Sequence, residues 1–336
     1  MNTLPNAIEV TNLTKKFGEF TAVNDVSFGV QEGEIFGYLG PNGAGKTTLV
    51  RMLTTLIVPT SGSARVAGFD VMGDAADVRR QIGVIPQAMT SDLDLTGYEN
   101  MDVYGRFYGL GARERKERIK YLLEMVGLTS RAQELVAAYS GGMRRRLEVA
   151  RGLLHKPKIL FLDEPSSGLD PQSRRAMWDL LKQIRQESTT TILLTTHYME
   201  EADALCSRIA IIDAGKILVM ESPEQLKRML PGNDMISVTV DQPSQAVVAA
   251  IQALSFVHRV HAEQSEIHIY VDNGAMNLPA VMDEIRAKGG TLRSANVHEQ
   301  SLEDVFIHFT GRSIRDEDAK KISRFGAGLP PRGTKR

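Results

Sequence analysis

The segment Gly40-Pro41-Asn42-Gly43-Ala44-Gly45-Lys46-Thr47-Thr48 has the G-x-x-x-x-G-K-[ST] spacing of a loop that cradles a polyphosphate. Gly43 and Gly45 let the backbone turn so that successive N–H groups face one anion, and a helix starting directly after them adds its dipole. In such a loop Lys46 reaches the β- and γ-phosphates and the Thr47 hydroxyl ligates Mg²⁺. Further on, ILFLDEP sets Asp163 and Glu164 after an apolar run, at the strand edge where open α/β sheets bind ligands. The two carboxylates have different tasks there: Asp163 holds the Mg²⁺ shell, and Glu164 orients and polarises an attacking water. A third element, YSGGMRRR, puts Ser140, Gly141 and Gly142 ahead of an amphipathic helix, a second N-terminal anion site in the same chain.

Positioning these residues takes a mixed α/β scaffold. An apolar, β-rich opening from Ile8 to Val30 is broken by Gly18 and Gly29, and Glu34–Leu39 then reads as a buried strand. A helix is expected from Lys46 to about Ile57, stopped by Pro59 and Ser61-Gly62. The short runs Ile159–Leu162, Thr191–Thr195 and Ile209–Ile212 alternate with helical patterns, as in a mostly parallel sheet. Met143, Leu147, Ala150 and Leu154 share one helix face, with Arg144, Arg145, Glu148 and Arg151 off it; Met177, Leu180, Leu181 and Ile184 repeat the pattern.

From about Met235 the order becomes strand Ile236–Val240, helix Gln245–Leu254, strands Val257–Ala262 and Glu266–Val271, helix Asn277–Lys288 and strand Leu292–His298. This β-α-β-β-α-β order is that of a ferredoxin-like sandwich, and a short helix, Ser301–Thr310, follows with Glu303 and Asp304 in its first turn. The expected division is a main domain over 1–232, a small α+β domain over 233–311 and a disordered basic tail over 312–336. Solvation accounts for that tail better than contact with anionic lipid.

Taken in order, Gly40–Thr48, Ser140-Gly141-Gly142 and Asp163-Glu164 resemble the phosphate loop, signature and Walker B of the ATP-binding-cassette family, over roughly the first ~230 residues. The resemblance implies a P-loop nucleotide-binding domain with a helical subdomain, binding ATP and Mg²⁺. It also implies a head-to-tail homodimer in which Ser140 and Gly142 contact the γ-phosphate held by the partner's loop. Gln87 in IPQAMT resembles the glutamine that reaches Mg²⁺ and senses the membrane partner, Asp170 in SSGLDP the D-loop aspartate, and His197 in TTHYMEEAD the switch histidine at the γ-phosphate. Phe17 stands where the family stacks an aromatic ring on adenine, with core packing as the other reading.

Tyr139 and Met143 depart from the more common Leu and Gln of the signature. With the ending HEQSLEDVFIHFTGR, that form is similar to the bacterial daunorubicin-resistance-type exporter ATPases. The implied protein is therefore a peripheral ATPase at the cytoplasmic face of the membrane, driving a separate permease docked near Gln87 and Asp92–Gly109. For the small domain, dimerisation is favoured over binding a regulator or touching the permease. The alternative is a non-transport ATPase acting on ribosomes or nucleic acid. Against it stand the single cassette and a net charge of -1 with nearly balanced signs.

Cys206 is the single cysteine, which excludes an internal disulfide framework and reads as a buried, inert thiol in a reducing compartment. The start, MNTLPNAIEV, lacks a secretory pattern, so the mature chain is expected to begin near Met1. No apolar run approaches the ~20 residues of a membrane span.

Overall fold

The computed structural model describes residues 5–232, 234–241 and 244–311; the tail expected at 312–336 lies outside them. The apolar opening folds as an antiparallel pair, β1 (Asn6–Phe17) and β2 (Phe20–Gln31), turning at Gly18 with φ 58°. Gly29, expected as a second break, instead lies within β2 opposite Glu9. A Cβ there would meet the Asn6 side chain at 3.0 Å, so this glycine permits a close approach and does not stop the strand.

β3 (Ile35–Leu39), buried throughout, runs into the phosphate loop and α1 (Lys46–Leu53). That helix ends earlier than Ile57 because Thr55 turns left-handed at φ 63° and the Leu56 N–H donates back to the Arg51 carbonyl at 2.8 Å. β4 (Ser61–Val66) and β5 (Phe69–Asp70) complete a four-stranded sheet of order β2-β1-β4-β5.

After α2 (Ala75–Gln81) and β6 (Ile82–Ile85) comes a helical stretch: α3 (Gly97–Phe107), α4 (Ala112–Met125) and α5 (Gly141–Gly152). The chain then alternates through β7 (Ile159–Asp163), α6 (Pro171–Glu187), β8 (Thr191–Thr196), α7 (Met199–Leu205), β9 (Arg208–Asp213) and β10 (Lys216–Glu221). Together these give a six-stranded sheet of order β10-β9-β3-β8-β7-β6. Its β9, β3, β8, β7 and β6 run parallel, with β10 antiparallel at the edge. Ile159–Leu162 and Ile192–Leu194 are continuous apolar runs because both faces of such a sheet are covered. One cluster, including Ile8, Leu13, Phe36, Leu49, Leu53 and Phe161, joins residues of both sheets to α1.

The chain divides into two compact units after Pro223. The second begins with the body of α8 (Pro223–Arg228) and continues as β11 (Asp234–Asp241), α9 (Gln245–Gln252), β12 (Val257–Glu263), β13 (Glu266–Val271), α10 (Gly274–Ala287) and β14 (Thr291–Glu299). Its antiparallel sheet has the order β12-β13-β11-β14, the arrangement expected of a ferredoxin-like sandwich. The core of this unit is its own, with Ile236, Val238, Ile267 and Ile269 of the sheet against Ile251 of α9 and Ile285 of α10. α10 starts at Gly274, earlier than Asn277, because the Asp234 carboxylate accepts the Gly274 N–H at 2.7 Å. α11 (Leu302–Thr310) closes the described chain with a capping box between Ser301 and Asp304.

Candidate functional site

Gly40 follows β3, its N–H donating to the Thr196 carbonyl of β8 at 3.1 Å. Gly45 caps α1 at φ 101°, where a Cβ would lie 2.2 Å from the Ala22 carbonyl oxygen; only glycine fits this turn. Asn42 and Gly43 are exposed at the crest of the loop, Pro41 and Ala44 are buried, and Thr47 and Thr48 are half-buried. The loop thus puts the α1 N-terminus at the C-terminal edge of the parallel sheet.

Lys46 points back across this loop. With 5% of its surface exposed, it donates to the carbonyls of Gly40 at 2.8 Å and Pro41 at 3.0 Å. Its ammonium also lies 3.2 Å from Glu164 Oε1. The other oxygen, Oε2, sits 3.2 Å from His197 Nδ1 and accepts from Gln87 Nε2 at 3.4 Å. Three residues from three separate segments therefore meet at the carboxylate of a fourth. Burial raises the Glu164 carboxyl, but His197 and Lys46 beside it outweigh burial and hold it below the usual glutamate range. Glu164 is also backbone-strained, at φ 49° just past the end of β7.

Asp163 is fixed by β8. Thr195, fully buried, donates its hydroxyl to Asp163 Oδ1 at 2.6 Å and accepts the Glu164 N–H at 3.1 Å. No group of three or more His, Cys, Asp or Glu among the described residues could hold a metal ion by itself. The donor set of Thr47, Gln87 and Asp163 nonetheless fits Mg²⁺. All three offer hard oxygens, and Mg²⁺ in phosphate sites takes one or two carboxylates, with phosphate and water filling the rest.

Ser140, Gly141 and Gly142 start a different helix, α5, and no hydrogen bond or ion pair described here joins them to the Glu164 cluster. Ser140 is exposed and caps α5 by accepting the Met143 N–H at 3.2 Å. Gly142 is buried against Ser173, whose Oγ would lie 2.5 Å from an added Cβ. Asp170 caps α6 in the same manner, accepting from Ser173 N–H at 3.0 Å, with Pro171 in the first turn. That contact with Ser173 holds its carboxyl below the usual range. Phe17, at the end of β1 and 51% exposed, is not a core residue; the Lys15 ammonium lies over its ring, 5.1 Å from the centroid.

Comparison with known proteins decides what this arrangement is. Residues 23–167 match the family model described as ABC transporter, and residues 222–310 match that of the C-terminal domain of DrrA1-3-like ATP-binding proteins. The linearmycin resistance ATP-binding protein LnrL of Bacillus subtilis is 38% identical over 311 residues, covering 92% of this chain and 100% of that one. The chain belongs to the ABC transporter family. The daunorubicin/doxorubicin resistance ATP-binding protein DrrA of Streptomyces peucetius is 37% identical, over 96% of this chain and 98% of its own. The Nod factor export ATP-binding protein I of Cupriavidus metallidurans is 39% identical, over 92% and 99%. Among solved structures, the dimeric ATP-binding cassette MJ0796 in a post-hydrolysis state with ADP and Pi is 28% identical. It aligns with a TM-score of 0.58 over 64% of this chain and 98% of that one.

This ABC protein binds and hydrolyses ATP, and its fold and C-terminal domain are those expected from the signature form and the ending. Among the described residues no helix is long and apolar enough to cross a membrane. Four further residues of the ABC domain were not singled out by motif. Thr195 is one. Arg145, expected off the buried face of its helix, is 3% exposed and donates to the carbonyls of Pro86, Asp163, Glu164 and Pro165. Glu201 is fully buried and accepts from Ser166 Oγ at 2.6 Å and Trp178 Nε1 at 3.2 Å, with burial raising its carboxyl. Glu148, also expected off the buried face, is 4% exposed because it accepts from the Thr90 and Ser91 N–H groups at 2.8 and 2.6 Å. Cys206 is buried, and burial pushes its thiol well above the usual value.

Proposed function

We propose that this chain is the ATP-hydrolysing motor of an exporter, acting as a head-to-tail homodimer on a separate integral membrane permease at the cytoplasmic face. The observation that carries the dimer is the exposed Ser140 cap on α5, a second anion-binding helix end set apart from the Lys46–Glu164–His197 cluster. Its N–H groups suit the γ-phosphate bound by a partner copy, and the dimeric relative with ADP and Pi supports that arrangement. Export is supported by relatives named for drug resistance and for Nod factor export, none of the three being named for ribosomes or nucleic acid.

In this reading the phosphate loop Gly40–Thr48 binds the β- and γ-phosphates, with Lys46 exchanging part of its contact with Glu164 for the γ-phosphate. Glu164 orients the attacking water and accepts its proton, His197 steadies the γ-phosphate from the opposite side of the carboxylate, and Asp170 belongs to the dimer contact. Mg²⁺, held through Thr47, Gln87 and Asp163, would neutralise developing charge on the phosphates. Phe17 stacks on adenine. Membrane solubilisation with MgATP and tagged Glu164→Gln tests the whole: a polytopic protein at one copy per cassette is expected, whereas ribosomes or nucleic acid without one would overturn the exporter reading.

The small C-terminal domain strengthens the dimer in this proposal, its separate core supporting an autonomous module. Deleting Met235–Arg336 should weaken self-association and leave nucleotide binding in place; an unchanged dimer would sink the idea.

A further inference from the structure

A buried guanidinium is costly to desolvate unless its donors are met, and it usually meets a carboxylate. Arg145 instead spends its fork on backbone. Nη1 donates to Pro86 O at 2.6 Å, Nε to Pro165 O at 2.8 Å, and Nη2 to both Asp163 O and Glu164 O at 3.0 Å. The left-handed turn at Glu164 brings the three consecutive carbonyls of residues 163–165 to one side, where a planar donor can take them together. The fourth carbonyl precedes Gln87, whose side chain meets Glu164 at 3.4 Å. One guanidinium on α5 therefore holds the backbone on both sides of the Gln87–Glu164 contact. The same helix begins at the Ser140 cap, and its Gly142 packs on Ser173 of α6.

We propose that Arg145 is a positioning residue that ties the anion-binding start of α5 to Glu164 of the same chain, so that nucleotide engaged by Ser140–Gly142 at one site sets the catalytic geometry at the other. This rests on the head-to-tail dimer proposed above, in which the α5 start faces the partner's nucleotide while Glu164 faces its own. A helix is rigid over this length, and the coupled element is the strained Glu164 turn. Lysine cannot replace the fork, since a single ammonium on a flexible stem does not reproduce three separate nitrogens donating to four carbonyls.

The test is steady-state hydrolysis by the full chain, with MgATP binding titrated separately, for the parent, Arg145→Lys, Arg145→Met, Ser140→Ala and the Ser140→Ala/Arg145→Lys pair. Arg145→Lys is expected to lower kcat about tenfold or more with ATP binding within about threefold of the parent. The double variant should be no slower than the slower single variant, because both changes cut one path. Thermal melting identifies a variant that fails to fold, and Arg145→Lys then carries the comparison without Arg145→Met. Losses that multiply, or a parent-like kcat in Arg145→Lys beside a slow Ser140→Ala, overturn the inference alone. A Ser140→Ala enzyme with unchanged kcat removes the head-to-tail reading, and this inference with it.

Discussion

Lys46 Nζ and Glu164 Oε1 stand 3.2 Å apart, both side chains almost fully buried. In the proposed motor, the cation assigned to phosphate and the carboxylate assigned to water are thus joined in a single ion pair, which a γ-phosphate would have to compete with for the ammonium.

Replacing Glu164 by Gln removes the anionic partner of Lys46 and, in the proposed mechanism, the proton acceptor together. Hydrolysis should fall by ~10²–10⁴, the range for a general base, while ATP affinity holds or rises; rapid-quench and binding titrations check both, and parent-like turnover would remove Glu164 from its role. The carboxyl is held low in the fold, so its ionisation stabilises the parent fully above the ordinary glutamate range. That contribution is lost as pH falls through the lowered folded value, and the melting difference between parent and Gln variant should shrink in the same direction.

Thr195 is the hinge pin of the carboxylate pair, one hydroxyl serving Asp163 Oδ1 at 2.6 Å and the Glu164 N–H at 3.1 Å. Thr195→Val keeps the shape and deletes both bonds. The Glu164 N–H keeps the Thr195 carbonyl at 3.1 Å, so stability should drop by about 1–3 kcal/mol, the cost of leaving the buried Asp163 Oδ1 without its donor, and kcat by about tenfold through misplaced carboxylates. Chemical denaturation and single-turnover hydrolysis measure the two effects. A stable, fully active Val variant would show that β8 backbone bonds suffice.

Lys46, Asp163, Glu164 and Ser140 were legible in the sequence because their types recur at fixed offsets from a strand end or a helix start. Arg145 was not. Helical periodicity put it off the apolar face, and its burial is decided by four carbonyls from residues 86 and 163–165, which no local pattern connects to α5. Nothing in TTHYMEEAD separates exposed Glu200 from buried Glu201 either; the difference comes from Ser166 and Trp178, donors on other elements. The β-α-β-β-α-β order of the second unit was readable from alternation, whereas the ends of α1 and α10 turn on Thr55 and on the distant Asp234 carboxylate.

Glu201 tests whether a buried carboxyl serves stability or position. Burial raises it above the usual glutamate value, so the fold favours its protonated form, and the parent loses stability as pH rises from the ordinary glutamate range through the raised folded value. Glu201→Gln should abolish that slope in melting temperature against pH. Glu201→Leu leaves Ser166 Oγ and Trp178 Nε1 without their acceptor and should cost about 1–3 kcal/mol at neutral pH. A parent-like pH slope in the Gln variant would assign the titration elsewhere.

Phe17 separates binding from stability. Half its ring surface is exposed at the end of β1, so Phe17→Ala creates no core cavity and should leave the melting temperature nearly unchanged. If the ring is the adenine platform, ATP binding weakens by about 1–3 kcal/mol, the worth of one base–aromatic stack. Phe17→Tyr or Phe17→Trp should restore it, since stacking asks only for a π face. GTP and ATP should lose affinity alike in Phe17→Ala, because a stacked face reads shape and not the base edge. A drop in stability with unchanged ATP affinity would return Phe17 to a packing role.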